Sequence, residues 1–207
     1  MIYEVQLQGY FSVNCYFAID ERTGHGFLID PGAQGEALVH MIRQRNWVIE
    51  KILLTHGHFD HTGGVEAVRR KLEIPVYIHE NGERYLTDPR LNLSHFCGPD
   101  MILRDVNDLR DEDTISLQIN SAYFLRVMHT PGHTPDSVTF YCTAEQAAFV
   151  GDSIFKGGPG TDQYPGGDRK ELIRSIRERI LSLPGDTILY SGHSEPTRVK
   201  DEIPLYF

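Results

Sequence analysis

Apolar residues fall in short runs bounded by turn-forming clusters, with helix-period stretches between them. Residues 1–9 alternate polar and apolar side chains, the period of an extended strand. Residues 15–19 and 26–29 are apolar and flank Asp20-Glu21-Arg22-Thr23-Gly24, which predicts a hairpin. Asp30-Pro31-Gly32 stops the second run with turn residues. Ala37, Leu38, Met41 and Ile42 then repeat at helical spacing. A buried strand is predicted at residues 52–54, ending abruptly at Thr55-His56-Gly57-His58.

Val65, Val68 and Leu72 share one helical face, and residues 76–78 read as a strand. Residues 87–113, rich in Asp, Pro and Asn, predict a long surface excursion. Three further strands are expected at 122–128, 138–142 and 147–150. Asp168 with Glu171 is a helix-start pair, continued by Leu172, Ile173, Ile176, Ile180 and Leu183 as an amphipathic helix. Pro184-Gly185 ends that helix, and a last strand follows at 187–190. Strands mixed with helices throughout imply an α/β layered domain.

Composition narrows the function. Of 207 residues, 40% are hydrophobic and 24% charged, ordinary values for a globular chain. The net charge of −9 and the shortness of the basic clusters (Arg69-Arg70-Lys71 and residues 174–179) argue against a nucleic-acid partner. No apolar run approaches the ~20 residues of a membrane span, so no membrane association is expected. Residues 1–9 lack a basic segment followed by an apolar one, so no export signal is read. Cys15, Cys97 and Cys142 are far apart and form no CxxC pair, which points away from disulfides and thiolate zinc and toward a reducing cytoplasm.

The chemistry gathers where strands end. His56, His58, Asp60 and His61 follow one strand; His133, Asp152 and His193 follow others. Imidazole and carboxylate are the usual nitrogen and oxygen ligands of zinc and similar ions. His56 and His58, two apart in extended chain, can point to one side, and Asp60 and His61 can face a neighbouring point after a turn.

These residues resemble the signature of the metallo-β-lactamase superfamily. Thr55-His56-Gly57-His58-Phe59-Asp60-His61-Thr62-Gly63-Gly64 resembles its main motif. Leu28-Ile29-Asp30-Pro31-Gly32 precedes it, while Thr130-Pro131-Gly132-His133-Thr134-Pro135, Gly151-Asp152 and Ser191-Gly192-His193 follow in the family's order. The resemblance covers essentially the whole chain. It implies an αββα sandwich, two mixed sheets face to face with helices outside, as a single domain over residues 1–207 without a C-terminal helical domain. It also implies two divalent metal ions, zinc first, with iron or manganese as alternatives. His56, His58 and His133 would hold the first, Asp60, His61 and His193 the second, and Asp152 would bridge them. Asp60 is also the residue assigned to catalysis. Asp30 is expected to make structural hydrogen bonds beside the site.

Within the family, Asp152 differs from the cysteine or serine of the zinc β-lactamases, and His58 from the glutamate of flavodiiron proteins. Residues 155–168, ending in Tyr164-Pro165-Gly166-Gly167-Asp168, resemble the glyoxalase II-like thioester hydrolases. Two positions depart from that group: Thr161 follows Gly160 where an arginine is usual, and Asp136 stands where a glycine is usual. The implied activity is hydrolysis of a thioester or related small acyl substrate by a metal-bridging hydroxide. The alternative on the same residues is an iron-dependent, persulfide dioxygenase-like oxygenase using His56, His133 and Asp152. Tyr85, His95, Phe96, Phe155 and Tyr164 are candidate substrate contacts. Nothing in the sequence speaks to oligomeric state.

Overall fold

The computed structural model, which describes residues 1–207, puts the first six strands into one sheet in chain order. They are β1 (Ile2–Gln8), β2 (Ser12–Asp20), β3 (His25–Ile29), β4 (Val48–Leu53), β5 (Val76–His79) and β6 (Asn107–Leu109). β1, β2 and β3 pair antiparallel, and β3 to β6 pair parallel. The second sheet contains β7 (Thr114–Ser116), β8 (Phe124–His129), β9 (Val138–Cys142) and β10 (Ala147–Gly151). After a small hairpin, β11 (Ile154–Phe155) with β12 (Gly158–Pro159), it gains β13 (Ile188–Ser191) and β14 (Thr197–Arg198). Its order is β14-β13-β10-β9-β8-β7, with only β10 and β13 parallel.

Alternation along β2 shows how the layers assemble. Tyr16 and Ala18 point between the sheets, into a core with Phe27, Ile29, Val127, Phe140 and Phe149. Cys15, Phe17 and Ile19 point the other way, onto α1 (Gly35–Gln44) and α3 (Val65–Leu72) through Leu38, Ile42, Val65 and Val68. A strand covered on both faces reads as an unbroken apolar run, as residues 15–19 do. The second sheet turns Tyr141, Ala148 and Val150 outward onto α6 (Arg169–Ser175) and the π-helical turn Ile176–Ile180 that continues it. The fold is therefore the αββα sandwich expected. No helix is long and apolar enough to cross a membrane.

Some expectations need adjustment. The α1 stripe is Leu38, Val39 and Ile42, and Ala37 is exposed. The strand expected at 122–128 begins at Phe124, because a turn closes there with Tyr123 N–H donating to the Asn120 carbonyl at 3.0 Å. The stretch 87–113 is not merely a surface excursion. It contains α5 (Ser94–Cys97) and β6, and it buries Leu103 and Leu109. Three further short helices, α2 (Phe59–Thr62), α4 (Glu83–Thr87) and α7 (Val199–Glu202), carry too few residues to show a period.

Candidate metal centre

Each functional side chain leaves the carboxyl end of a strand at one edge of the sandwich. Asp30 follows β3, and the segment from His56 to His61 follows β4. His133 follows β8, Asp152 follows β10 and His193 follows β13. Open α/β sheets place ligands at such strand exits. The structure brings all seven predicted ligands into three overlapping groups: His56, His58 and His133; His56, His61 and Asp152; and Asp60, His61 and His193. Within each group the donor atoms lie within 4.8 Å of one another.

The hydrogen-bond network fixes which imidazole nitrogen faces inward. The Thr55 hydroxyl donates to Asp30 Oδ2 at 2.6 Å, so its oxygen must accept from His56 Nδ1 at 3.1 Å. His56 Nε2 is then a bare acceptor. His133 Nδ1 donates to the Thr161 carbonyl at 2.7 Å, leaving His133 Nε2 bare as well. Both acceptors converge on His58 Nδ1, at 3.0 and 3.1 Å. One proton on His58 Nδ1 can satisfy only one of them, whereas a cation would accept all three lone pairs. Burial and the neighbouring imidazoles hold His56 well below the usual histidine range, and burial, with His133 alongside disfavouring a second charge, takes His58 down to about 3. Burial likewise lowers His133. Neutral imidazoles are the metal-binding form.

The other half of the site is built on carboxylates. His61 Nδ1 donates to Asp30 Oδ2 at 2.9 Å, and His193 Nδ1 donates to the Ser12 carbonyl at 2.7 Å. Their Nε2 atoms face Asp152 at 3.4 and 3.3 Å, and His193 Nε2 is also 3.2 Å from Asp60. Burial opposes charge on His61, but Asp152, Asp30 and Asp60 outweigh it and raise His61 well above the usual range. For His193, hydrogen bonds to Asp152 and Asp60 overcome burial and lift it to about 10. Burial would raise Asp152, yet His61 and His193 pull it well below the usual carboxylate range. The carboxylates therefore hold protons on these histidines, in positions a divalent cation would take. His61 Nε2 and Asp152 Oδ1 are buried here without a hydrogen-bond partner. The donor set fits the metal ions the resemblance implies.

Glycine permits the close approach. A Cβ on Gly192 would sit 2.3 Å from Asp152 Oδ1 and 2.5 Å from His61 Cε1. Gly151 has φ +51°, and a Cβ there would lie 2.5 Å from Thr55 Oγ1. Asp30 receives three hydrogen bonds, from the Thr55 amide, the Thr55 hydroxyl and His61, in the positioning role expected of it.

A cleft of about 310 Å³ opens over the centre, between His58, Asp60, Asp152 and His193 below and Phe11, Leu93, Phe155 and Tyr164 above. Two larger hollows, about 570 and 530 Å³, contain none of the seven residues. Of the predicted substrate contacts, Phe155 and Tyr164 line the cleft. Tyr85 is buried and donates its hydroxyl to the Pro165 carbonyl at 2.7 Å. His95 lies outside the cleft and pairs with Asp100 at 3.0 Å, and Phe96 is exposed. Phe11 and Leu93 were not anticipated. Their one signal in the sequence is a large apolar residue in a turn, beside Tyr10 in one case and near Leu91 in the other.

The chain belongs to the metallo-β-lactamase superfamily of metallo-hydrolases, whose family model matches residues 9–193. A relative from Bacillus subtilis strain 168, named "Probable metallo-hydrolase YqgX", is 36% identical over 94% of this chain and 90% of its own length. A Haemophilus influenzae protein named hydroxyacylglutathione hydrolase GloC is 29% identical over 93% of this chain and 90% of its own. Among solved structures, BLEG-1, described as a B3 metallo-β-lactamase, superposes with a TM-score of 0.92 at 34% identity, over 99% of this chain and 97% of that one. TTHA1623 in a di-iron-bound form gives 0.84 at 31% identity, over 97% and 96%.

Proposed function

We propose that the protein hydrolyses a thioester or related small acyl compound with two divalent metal ions, zinc first, and that Asp152 serves both. The observation that carries this reading is the position of Asp152. Its carboxylate lies 3.4 Å from His61, 3.3 Å from His193 and 3.7 Å from His133, so it touches both ligand clusters. His56, His58 and His133 would hold one ion, and Asp60, His61 and His193 the other. When bound, such ions supply Lewis acidity, polarising a carbonyl and bringing the pKa of water toward about 7. The chain's own residues do the rest. Thr55, Asp30, Thr161 and Ser12 each engage the Nδ1 of one imidazole, so Nε2 of His56, His61, His133 and His193 points inward before any ligand arrives. Asp60 and Asp152 offset the positive charge, and Asp60, on the floor of the open cleft, faces the reacting group. A small-molecule substrate suits a cleft of this size, and the cytoplasm remains the proposed compartment.

The relative named as a hydroxyacylglutathione hydrolase supports acyl-thioester chemistry. The solved relative described as a β-lactamase makes β-lactams the first competing substrates to test. The di-iron form of another relative is a case of this fold holding iron, the metal that the alternative persulfide oxygenase reading needs. Oxygen provenance decides between them. The zinc-loaded protein should hydrolyse a thioester without O₂ and place labelled water oxygen in the new carboxylate. Turnover of a chromogenic β-lactam alone would move the substrate to lactams. Iron-dependent O₂ consumption with a persulfide, and no zinc-supported hydrolysis, would replace hydrolysis with oxygenation.

A further inference from the structure

The cleft wall differs in kind from its floor. The floor consists of candidate ligands, and the wall is Phe11, Leu93, Phe155 and Tyr164 with Ser12 and Thr161. No lysine or arginine lines it. The nearest lysine in sequence, Lys156, turns to Glu195 at 3.1 Å and lines a different hollow. A substrate carboxylate or phosphate seated against this wall, away from the floor, would lose hydration and meet no lysine or arginine, which is costly. The molecule's net charge of −9 adds a field that disfavours anions.

Leu93 shows that the apolar wall is built rather than incidental. Its backbone is left-handed, with φ +71°, a conformation that L-residues with large side chains rarely adopt. Buried Asn92 holds the segment there. Its side chain accepts from the Ser94 amide at 3.0 Å and donates to the Met101 carbonyl at 2.9 Å. The Asn92 carbonyl accepts from the Phe59 amide at 2.9 Å, tying Leu93 to α2, the helix that carries Asp60 and His61. Leu93 is therefore held on the cleft wall by a bond to the element that bears Asp60 and His61. Strain held by over-determined contacts beside a site is the pattern of a functional position.

Building on the thioester reading above, we infer that this cleft selects neutral, apolar substrates, with an aliphatic or aromatic group seated on Phe11, Leu93, Phe155 and Tyr164, over anionic thiol conjugates. Leu93 and Phe11 are the specificity-determining residues. The test uses non-hydrolysable thioethers, so binding is read apart from turnover. Calorimetry on the zinc-loaded protein compares neutral S-hexyl-N-acetylcysteamine with anionic S-hexylglutathione. The neutral probe should bind about tenfold more tightly, the discrimination expected of an apolar pocket. Leu93→Gly relieves the backbone strain, so it keeps the fold, and should weaken the neutral probe by about tenfold. Phe11→Arg should narrow the gap between the probes by strengthening S-hexylglutathione. Equal or tighter binding of S-hexylglutathione, or unchanged binding of the neutral probe to Leu93→Gly, overturns the inference. If the preference holds and no thioester is turned over, the hydrolase reading fails and the specificity stands. If glutathione thioesters bind and turn over best, the hydrolase reading stands and this inference fails.

Discussion

Asp152 and His193 both face the second ligand cluster, but only Asp152 also reaches His133, at 3.7 Å. Removing it should therefore empty more than one position. Asp152→Ala is expected to lose more metal than His193→Ala by elemental analysis. Equal metal in Asp152→Ala and the parent protein would refute its bridging place. Asp136 is a separate case. It is fully buried, and neither carboxyl oxygen has a hydrogen-bond partner. Burial pushes it up to about 7, with Thr134 and the Gly57 amide close enough to pull it partly back. Because the folded value lies above the unfolded one, the folded state binds more protons between about pH 4 and pH 7. Stability from this group is thus present in acid and lost as pH rises through about 7. Urea unfolding of metal-free protein should show Asp136→Asn gaining on the parent by about 4 kcal/mol between pH 4 and pH 8. A constant difference would mean Asp136 is ionised in the fold. At this scale the donor residues were legible from sequence, because His56-Gly57-His58 and its companions have a fixed order. The nitrogen that His133 and His193 present was not, because the carbonyls of Thr161 and Ser12 set it, and a carbonyl has no sequence signature.

Elements long enough to show a period were legible, and those held by a few distant hydrogen bonds were not. The α6 start illustrates both. The sequence pairs Asp168 with Glu171, and Asp168 Oδ1 does accept from the Glu171 amide at 3.0 Å. The reciprocal half of that pair is absent, because the Asp168 amide donates instead to the Gly132 carbonyl at 2.9 Å. The cap is thereby joined to the loop that presents His133. Asp168→Ala should cost about 1 kcal/mol of stability, the usual price of a lost N-cap. In a chain of this size that is a fall in melting temperature of about 2–4 °C by scanning calorimetry. No change would show that the cap contributes nothing. Strands such as β6, β7 and β14, two or three residues long, give no alternation to read. Their pairing comes from neighbours already in place.

At the scale of the whole molecule, the candidate ligands divide between the two sheets. His56, His58, Asp60 and His61 hang from the first sheet, and His133, Asp152 and His193 from the second. The sequence showed the longer strands but not which sheet each joins, since pairing depends on contacts far apart along the chain; the layering was expected through the family resemblance. Ions bound at this edge would connect the two halves where apolar contact ends. The halves are also held together by a 15-residue apolar core between the sheets, which needs no metal. The metal-free chain should accordingly stay folded at 25 °C and differ from loaded protein in how much heat it withstands. A ligand that binds only the folded state adds about 4 kcal/mol when its free concentration is a thousandfold above its dissociation constant. At about 2–4 °C per kcal/mol, each filled position should raise the melting temperature by roughly 8–16 °C. Elemental analysis of loaded protein should give more than one equivalent per chain, and chelation should then lower the melting temperature while far-ultraviolet circular dichroism at 25 °C is unchanged. A reproducible maximum of one equivalent would leave a mononuclear centre. Complete metal removal with no change in melting temperature would show that the ions do not join the sheets, leaving the apolar core alone to hold them.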